Sequence, residues 1–390
     1  MSQAGVSEST QSVRPVPVQL CLLSGPQAAS LLPILDVRTR PEQVLVLAAA
    51  GAETVLQAFG QLVQTETGLR VQSRLLGGPV DAAGIEAALE TLLTGYAVAD
   101  VVLNVSGGTR LMGLVAQRLG QRRGIPVWFV DARDGCLQVL NDNSSPFQGR
   151  ALMPLTVAQA LALQGWQCQV QPAFMSAPVW QVLVREWVAN LRHYSSGLAI
   201  LDWLALSVGS GLTSRELQPW QFEVQAFRDV IQRLRQLNMV QLEGRRMVFA
   251  DEHSLHFARG GWLQGYVLSC LDALGIGPEQ RGVQVQACDG RGLQHELDVV
   301  FVAANQLHVI GCRSATVRKG SPAKGMEVVF SSNVLQDCLP LTAGKALLLA
   351  YSPLKNLEVS RLRVAGVSVL QEKQLQNLAT WLREWLVHQV

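Results

Sequence analysis

The chain has 390 residues, 48% of them hydrophobic and 16% charged, and a net charge of +2. That balance excludes a disordered chain and leaves room for two or three folded domains. Near-neutral charge also excludes a surface that is basic all over, so any anion site must be local. The seven cysteines are scattered and form no Cys-x-x-Cys pair, which argues for a reducing compartment and against a disulfide framework or zinc ribbon. The first fifteen residues are polar, with no apolar run behind them. The longest apolar stretches, 44–51 and 347–351, fall well short of the about 18–20 residues of a membrane span. A cytoplasmic protein with no membrane attachment is the expectation.

From the N-terminus, "VPVQLCLL" (16–23), "QVLVLAAA" (43–50), "DVVLNVSG" (100–107) and "IPVWFVDA" (125–132) read as strands buried on both faces. Helical patterns lie between them at 53–66, 82–96 and 109–124, and "DGCLQVLN" (134–141) adds a last strand. Strand–helix alternation of this kind predicts a doubly wound, Rossmann-like α/β domain over 1–145. The turn-rich and proline-rich stretch 146–178 reads as a connector. A helical middle domain over 179–250 follows. In it "LTSRELQPW" (212–220) reads as the start of a helix, and "FRDVIQRLRQLNMVQLEGRRMVFA" (227–250) as a helix and a tight hairpin. Helix, helix and wing is a winged-helix pattern, open to DNA binding or to use as a spacer; Arg228, Arg233 and Arg235 are the basic residues of its candidate helix. Over 251–390 strands and helices mix again, which predicts a second α/β domain. Its last helix carries Leu375, Leu378, Trp381, Leu382, Trp385 and Leu386 on one face.

The clearest motif is "LNVSGGTRLMG" (103–113). A buried strand ends at Asn104, Ser106, Gly107, Gly108 and Thr109 turn the chain, and a helix begins near Thr109. Two glycines let backbone N–H groups approach a ligand closely, and the helix dipole behind them favours a phosphate. Ser106 and Thr109 add hydroxyls and Arg110 a cation. The plain alternative is a helix N-cap in which Thr109 caps and the glycines only turn the chain. Neither the P-loop spacing nor the dinucleotide fingerprint is present.

"NVSGGTRLM" resembles the strand-four signature of CARF domains, the sensors of cyclic oligoadenylate in type III CRISPR antiviral defence. The resemblance implies a homodimer, with the loop at its axis facing the ligand phosphates. It also implies a contribution from the loop after the first strand, here "LSGPQAAS" (23–30), with Ser24 and Gln27 as polar candidates. A two-fold ligand suits a two-fold cleft, and family likeness favours cyclic tetra-adenylate. The 251–390 region resembles the PD-(D/E)XK nuclease domain fused to CARF domains in a family of CRISPR ancillary nucleases. "FARGGWLQGYV" (257–267), "ELDVVFVAANQLHVIGCRSA" (296–315) and "KALLLAYSPL" (345–354) carry that likeness.

A nuclease of this class needs several carboxylates around Mg or Mn, and a lysine. The resemblance places these at positions where this chain retains only Asp298. Gln264 and Gly265 stand for the glutamates after Gly-Gly-Trp-Leu, Gly311 for the glutamate ending the second hairpin strand, and Arg313 for the lysine. Asp298 is thus the one metal ligand left, if there is any. Glu296, two residues away on the same strand face, and Glu327 are possible substitutes. The expectation is a cyclic-oligoadenylate-binding CARF dimer whose nuclease-like domain has lost metal-dependent cleavage. Three alternatives stay open at this point: a ring nuclease acting in the CARF pocket without metal, an active metal-dependent DNA or RNA nuclease with displaced ligands, and a ligand-gated winged-helix regulator.

Overall fold

The computed structural model describes residues 16–25, 28–78, 81–142, 144–171, 178–288, 292–313 and 344–387. Gln27 and Glu327 lie outside these. The chain divides into two compact units, residues 1–155 with 162–165 and residues 156–161 with 166–390.

The first unit is built on a sheet of strands β1 (Val18–Leu23), β2 (Gln43–Ala48), β3 (Val71–Leu75), β4 (Val101–Asn104), β5 (Val127–Asp131), β6 (Cys136–Val139) and β7 (Arg150–Ala151). The strand order is β3-β2-β1-β4-β5-β6-β7, parallel up to β5 and antiparallel after it. This is the doubly wound arrangement, with helices α1 (Ala28–Leu35), α2 (Glu53–Thr67), α3 (Ala82–Leu92) and α4 (Arg110–Arg123) connecting the strands. Every residue of β1 and β4 is buried, as their mainly Val and Leu composition requires. Leu20, Leu45, Leu47 and Leu103 form a core with Leu89 of α3 and Met112 and Leu119 of α4.

The second unit has one continuous core running from Leu183 to Trp385. Helices α5 (Val157–Ala162), α6 (Pro178–Ala189) and α7 (Leu191–Leu206) precede a three-stranded sheet of order β10-β11-β9. Its strands are β9 (Thr213–Glu216), β10 (Val240–Glu243) and β11 (Arg246–Phe249), with α8 (Pro219–Glu223) and α9 (Gln225–Gln236) between the first two. Residues 213–216 are therefore a strand paired with β11, not the first turn of a helix. Gly197 of α7 lies so close to α9 that a Cβ there would meet the Ala226 carbonyl at 2.5 Å.

After α10 (Glu252–His256) and α11 (Trp262–Ala273) comes a six-stranded sheet of order β16-β15-β14-β13-β12-β8. It consists of β8 (Gln167–Gln171), β12 (Arg281–Cys288), β13 (Gln294–Ala303), β14 (Gln306–Arg313), β15 (Ala346–Ala350) and β16 (Val367–Gln371). β8 comes from the stretch expected to be a connector; it forms an edge of this sheet, antiparallel to β12. The β13–β14 turn holds Ala304 and Asn305 at φ of 51° and 55°, the double left-handed geometry of a two-residue hairpin turn. Helix α12 (Asn356–Val364) links β15 to β16. The terminal helix is shorter than its apolar pattern implies: a 3-10 stretch, Glu372–Asn377, precedes α13 (Leu378–Val387). Among the described residues no helix is long and apolar enough to cross a membrane.

Candidate functional sites

The loop after β4 sits where strand order reverses between β1 and β4, the position at which open α/β sheets bind ligands. Gly108 has φ +77°, and a Cβ on it would lie 2.7 Å from the Leu22 Cβ of β1, so the loop packs against the sheet in a way only glycine permits. Thr109 caps α4, its hydroxyl accepting from the Met112 N–H at 3.3 Å. The hydroxyl proton of Thr109 stays available to a ligand, since the cap uses the oxygen as acceptor.

Ser106 behaves differently. Its Oγ–H donates to Asn104 Oδ1 at 2.5 Å, and its Oγ accepts the Val130 N–H at 2.8 Å. The hydroxyl expected to donate to a ligand is thus engaged inside the loop. Arg110 is exposed at the start of α4. The other α4 arginines, Arg118, Arg122 and Arg123, form ion pairs with Glu86 and Glu90 of α3. Arg110 is therefore the α4 cation at the loop end of the helix. The loop and the first turns of α4 line an open groove of about 640 Å³, whose far wall carries Phe129 and Gln138 of β5 and β6. Ser24 stands half-buried just past β1. Phe129 and Gln138 were not legible as site residues, because their place in the groove depends on strand pairing across β5 and β6.

In the second unit the sheet brings Asp298, Gln264 and Gly311 together. Asp298 is half-buried on β13. Its Oδ2 accepts the Cys312 N–H at 2.8 Å, and its Oδ1 accepts from Gln264 Nε2 at 3.3 Å. A Cβ on Gly311 would point at Asp298 Oδ2 from 3.9 Å and touch Leu348 Cδ1 at 3.1 Å. Position 311 thus faces the carboxylate and supplies nothing to it. Gln264 is buried, and its Oε1 has no hydrogen-bond partner among the described residues. Arg313 lies 3.6 Å from Glu358 of α12.

Burial raises the Asp298 pKa from its ordinary 3.8 to about 6, and the nearby Glu296 charge adds to the rise, while the Cys312 N–H and Gln264 oppose it. Glu296 is exposed on the same strand. His256 packs against Gly261, where a Cβ would come within 2.6 Å of the imidazole. Burial, then Arg259, holds the His256 pKa below its ordinary value. The His295 ring packs at a tilt against Trp166, and His308 is a core residue between Phe301 and Trp385, its Nδ1 accepting the Lys345 N–H at 3.2 Å.

A divalent cation does not suit this donor set. It comprises one carboxylate whose negative charge the site disfavours and one neutral amide oxygen, and hard cations are held by charge count and multiple oxygens. Among the described residues no group of three or more His, Cys, Asp or Glu side chains is placed to hold a metal ion.

The chain thus carries a doubly wound α/β unit and a second unit built on a six-stranded mixed sheet. Residues 251–389 match the family described as Card1-like, endonuclease domain. Among solved structures, protein VC1899 from Vibrio cholerae superposes with a TM-score of 0.77, covering 95% of this chain and 98% of its own, at 21% identity. Can2 from Sulfobacillus thermosulfidooxidans, solved in complex with cyclic tetra-adenylate, gives a TM-score of 0.69 over 95% of this chain and 97% of its own, at 22% identity. No curated protein sequence matches the chain. At these identities the likeness is one of fold.

Proposed function

We propose that this protein is a homodimeric sensor of cyclic oligoadenylate in type III CRISPR signalling, and that its nuclease-like domain no longer cleaves nucleic acid with a metal. The ring, cyclic tetra-adenylate by preference, lies in the groove of the first unit. There it meets the backbone of Gly107 and Gly108, the Thr109 hydroxyl and the Arg110 guanidinium, with Ser24 and Gln27 from the loop after β1. The preference for the tetra-adenylate ring is supported by Can2, which shares the fold and was solved with that ring. Dimerisation is supported by apolar side chains left open on the groove wall and on α4: Leu114 is 65% exposed, Phe129 39% and Leu140 38%. These would be covered by a second copy in an isologous contact.

The observation that supports the loss of cleavage is Gly311 facing Asp298, with no cluster of three or more potential metal ligands among the described residues. The reading as a DNA-binding winged helix is supported by the order α7-β9-α8-α9-β10-β11, but the cations of that region are largely engaged. Arg228 donates to the Phe222 carbonyl and Gln225, Arg233 to Glu186, and Arg245 to the Leu217 carbonyl. A spacer between sensor and nuclease-like domain fits these contacts better.

The test mixes the protein with cyclic tetra-adenylate, Mn²⁺, supercoiled plasmid and single-stranded RNA, and follows the ring as well as the nucleic acids. Bound ring with intact nucleic acids is expected. Nicked plasmid or cut RNA, abolished by Asp298→Ala, would refute the loss of cleavage. Linearised ring would instead assign catalysis to the loop at 106–110.

A further inference from the structure

Asn104 is a buried polar side chain at the end of an otherwise apolar strand, fully shielded from solvent. Such a group persists when its hydrogen bonds do something a leucine cannot. Its Oδ1 accepts both the Ser106 N–H, at 3.1 Å, and the Ser106 Oγ–H, at 2.5 Å. Its Nδ2 donates to the Ala29 carbonyl at the start of α1, at 3.4 Å. Ser106 continues the chain of contacts by accepting the Val130 N–H of β5. On the other side Gly108 rests on Leu22 of β1. The loop that begins the groove is therefore tied to α1 and β5 through one small polar unit below it, and rests on β1 through Gly108.

We infer that Asn104 and Ser106 are positioning residues that act as a single unit. They hold the Gly107–Gly108 backbone in its ligand-ready form and link it to the segment entering α1, without touching the ligand themselves. The inference rests on the reading that the groove binds cyclic oligoadenylate. It separates two hydroxyls that the motif alone presents as equivalent: both residues line the groove, but the Ser106 proton goes to Asn104, whereas the Thr109 oxygen accepts from Met112 and keeps its proton for the ligand. Hydrogen bonds in one network lose energy together when any member is removed, so the two positions should not act independently.

The experiment measures cyclic tetra-adenylate affinity by calorimetry on the full-length protein and on Asn104→Ala, Ser106→Ala, the double variant and Ser106→Thr. A melting curve is recorded for each. Each single alanine is expected to weaken binding about tenfold, the scale of a lost buried hydrogen-bond partner. The double variant should be no weaker than the worse single, and Ser106→Thr, which keeps the hydroxyl, should restore affinity. Two results would overturn the inference: singles that melt lower but bind the ring normally, or losses that multiply in the double variant. Should Asn104→Ala fail to fold, the Ser106 pair decides alone: equal affinities for Ser106→Ala and Ser106→Thr refute the positioning role. If the unmodified protein does not bind the ring, the proposed function falls first and the inference falls with it.

Discussion

Replacing Asp298 by asparagine should make the protein more stable, and increasingly so as the pH rises. The carboxyl has a folded-state pKa of about 6 against an ordinary 3.8, chiefly because burial penalises its charge. A raised carboxyl pKa means that the folded state holds the proton more tightly than the unfolded state does. The associated stability is fully present below the unfolded value and is lost as pH rises through the folded value. The rise from 3.8 to about 6, at about 1.4 kcal/mol per pH unit, sets a ceiling of about 3 kcal/mol, of which about 1.4 kcal/mol is lost between about pH 5 and about pH 8. Asparagine does not titrate. Its Oδ1 keeps the acceptor for the Cys312 N–H, and its amide offers a donor to Gln264 Oε1, which has no partner among the described residues. The assay is thermal melting of both proteins between about pH 5 and about pH 8, with and without Mn²⁺. The advantage of the variant should grow by roughly 3–6 °C across that range, taking about 2–4 °C per kcal/mol for a unit of this size. Mn²⁺ should leave the unmodified protein unchanged. A variant that is less stable at high pH, or an unmodified protein that Mn²⁺ stabilises strongly, would mean that the carboxylate works as a charged ligand and that the site has been misread.

Gly108→Ala should cost about 1–2 kcal/mol from the left-handed backbone alone, with a further cost from the clash against Leu22, and should abolish measurable ring binding; melting and calorimetry check both. His308 carries the opposite pH signature. Burial pushes its pKa down to about 4 from 6.5, so the unfolded state binds the proton first and stability falls as pH drops from about 7 to about 5, by about 2 kcal/mol. In His308→Gln that slope should flatten, which urea unfolding at the two pH values would reveal. Restoring carboxylates at two positions and lysine at the third, as Gln264→Glu, Gly311→Glu and Arg313→Lys together, should create Mn²⁺ binding visible by calorimetry. Gly311→Glu alone should only destabilise, since it places a second charge beside Asp298.

Local pattern made much of the first unit legible. The strands β1, β2 and β4 were visible as apolar runs, because a strand covered on both faces has few polar positions to blur it. β3, "VQSRL", was not visible: it is the edge strand, four of its five residues are exposed, and its partner β2 lies in another part of the sequence. The same cause hid β8 inside a supposed connector and β9 inside a supposed helix; each is defined by a partner about 30 residues or more away. In the nuclease-like site the two-residue turn at Ala304 and Asn305 fixes the register that sets Asp298 against Gly311; from sequence it was the family resemblance, not a count along the hairpin, that pointed to this pair. The role of Ser106 did not follow, since Val130, which donates to it, is 24 positions further along the chain.

On the proposed reading of a domain that no longer cleaves with a metal, Asp298 is the residue whose presence needs a reason. A lone half-buried carboxylate with a raised pKa destabilises the fold at neutral pH, so its presence calls for another use. Its contacts supply one. Through the Cys312 N–H it receives a backbone donor from β14, and through Gln264 it receives a side chain from α11. Removing the carboxyl altogether, as in alanine, would leave the Cys312 N–H and the Gln264 amide without an acceptor in a half-buried place, at about 1–3 kcal/mol for each group. A glycine at 311 leaves no such debt, because a side chain that is absent needs no partner, and glutamine at 264 exchanges a repelling charge for a donor. The three positions therefore differ in what their replacement costs: position 298 must keep an acceptor for the β14 backbone, which aspartate and asparagine both supply, whereas glycine at 311 needs no partner at all.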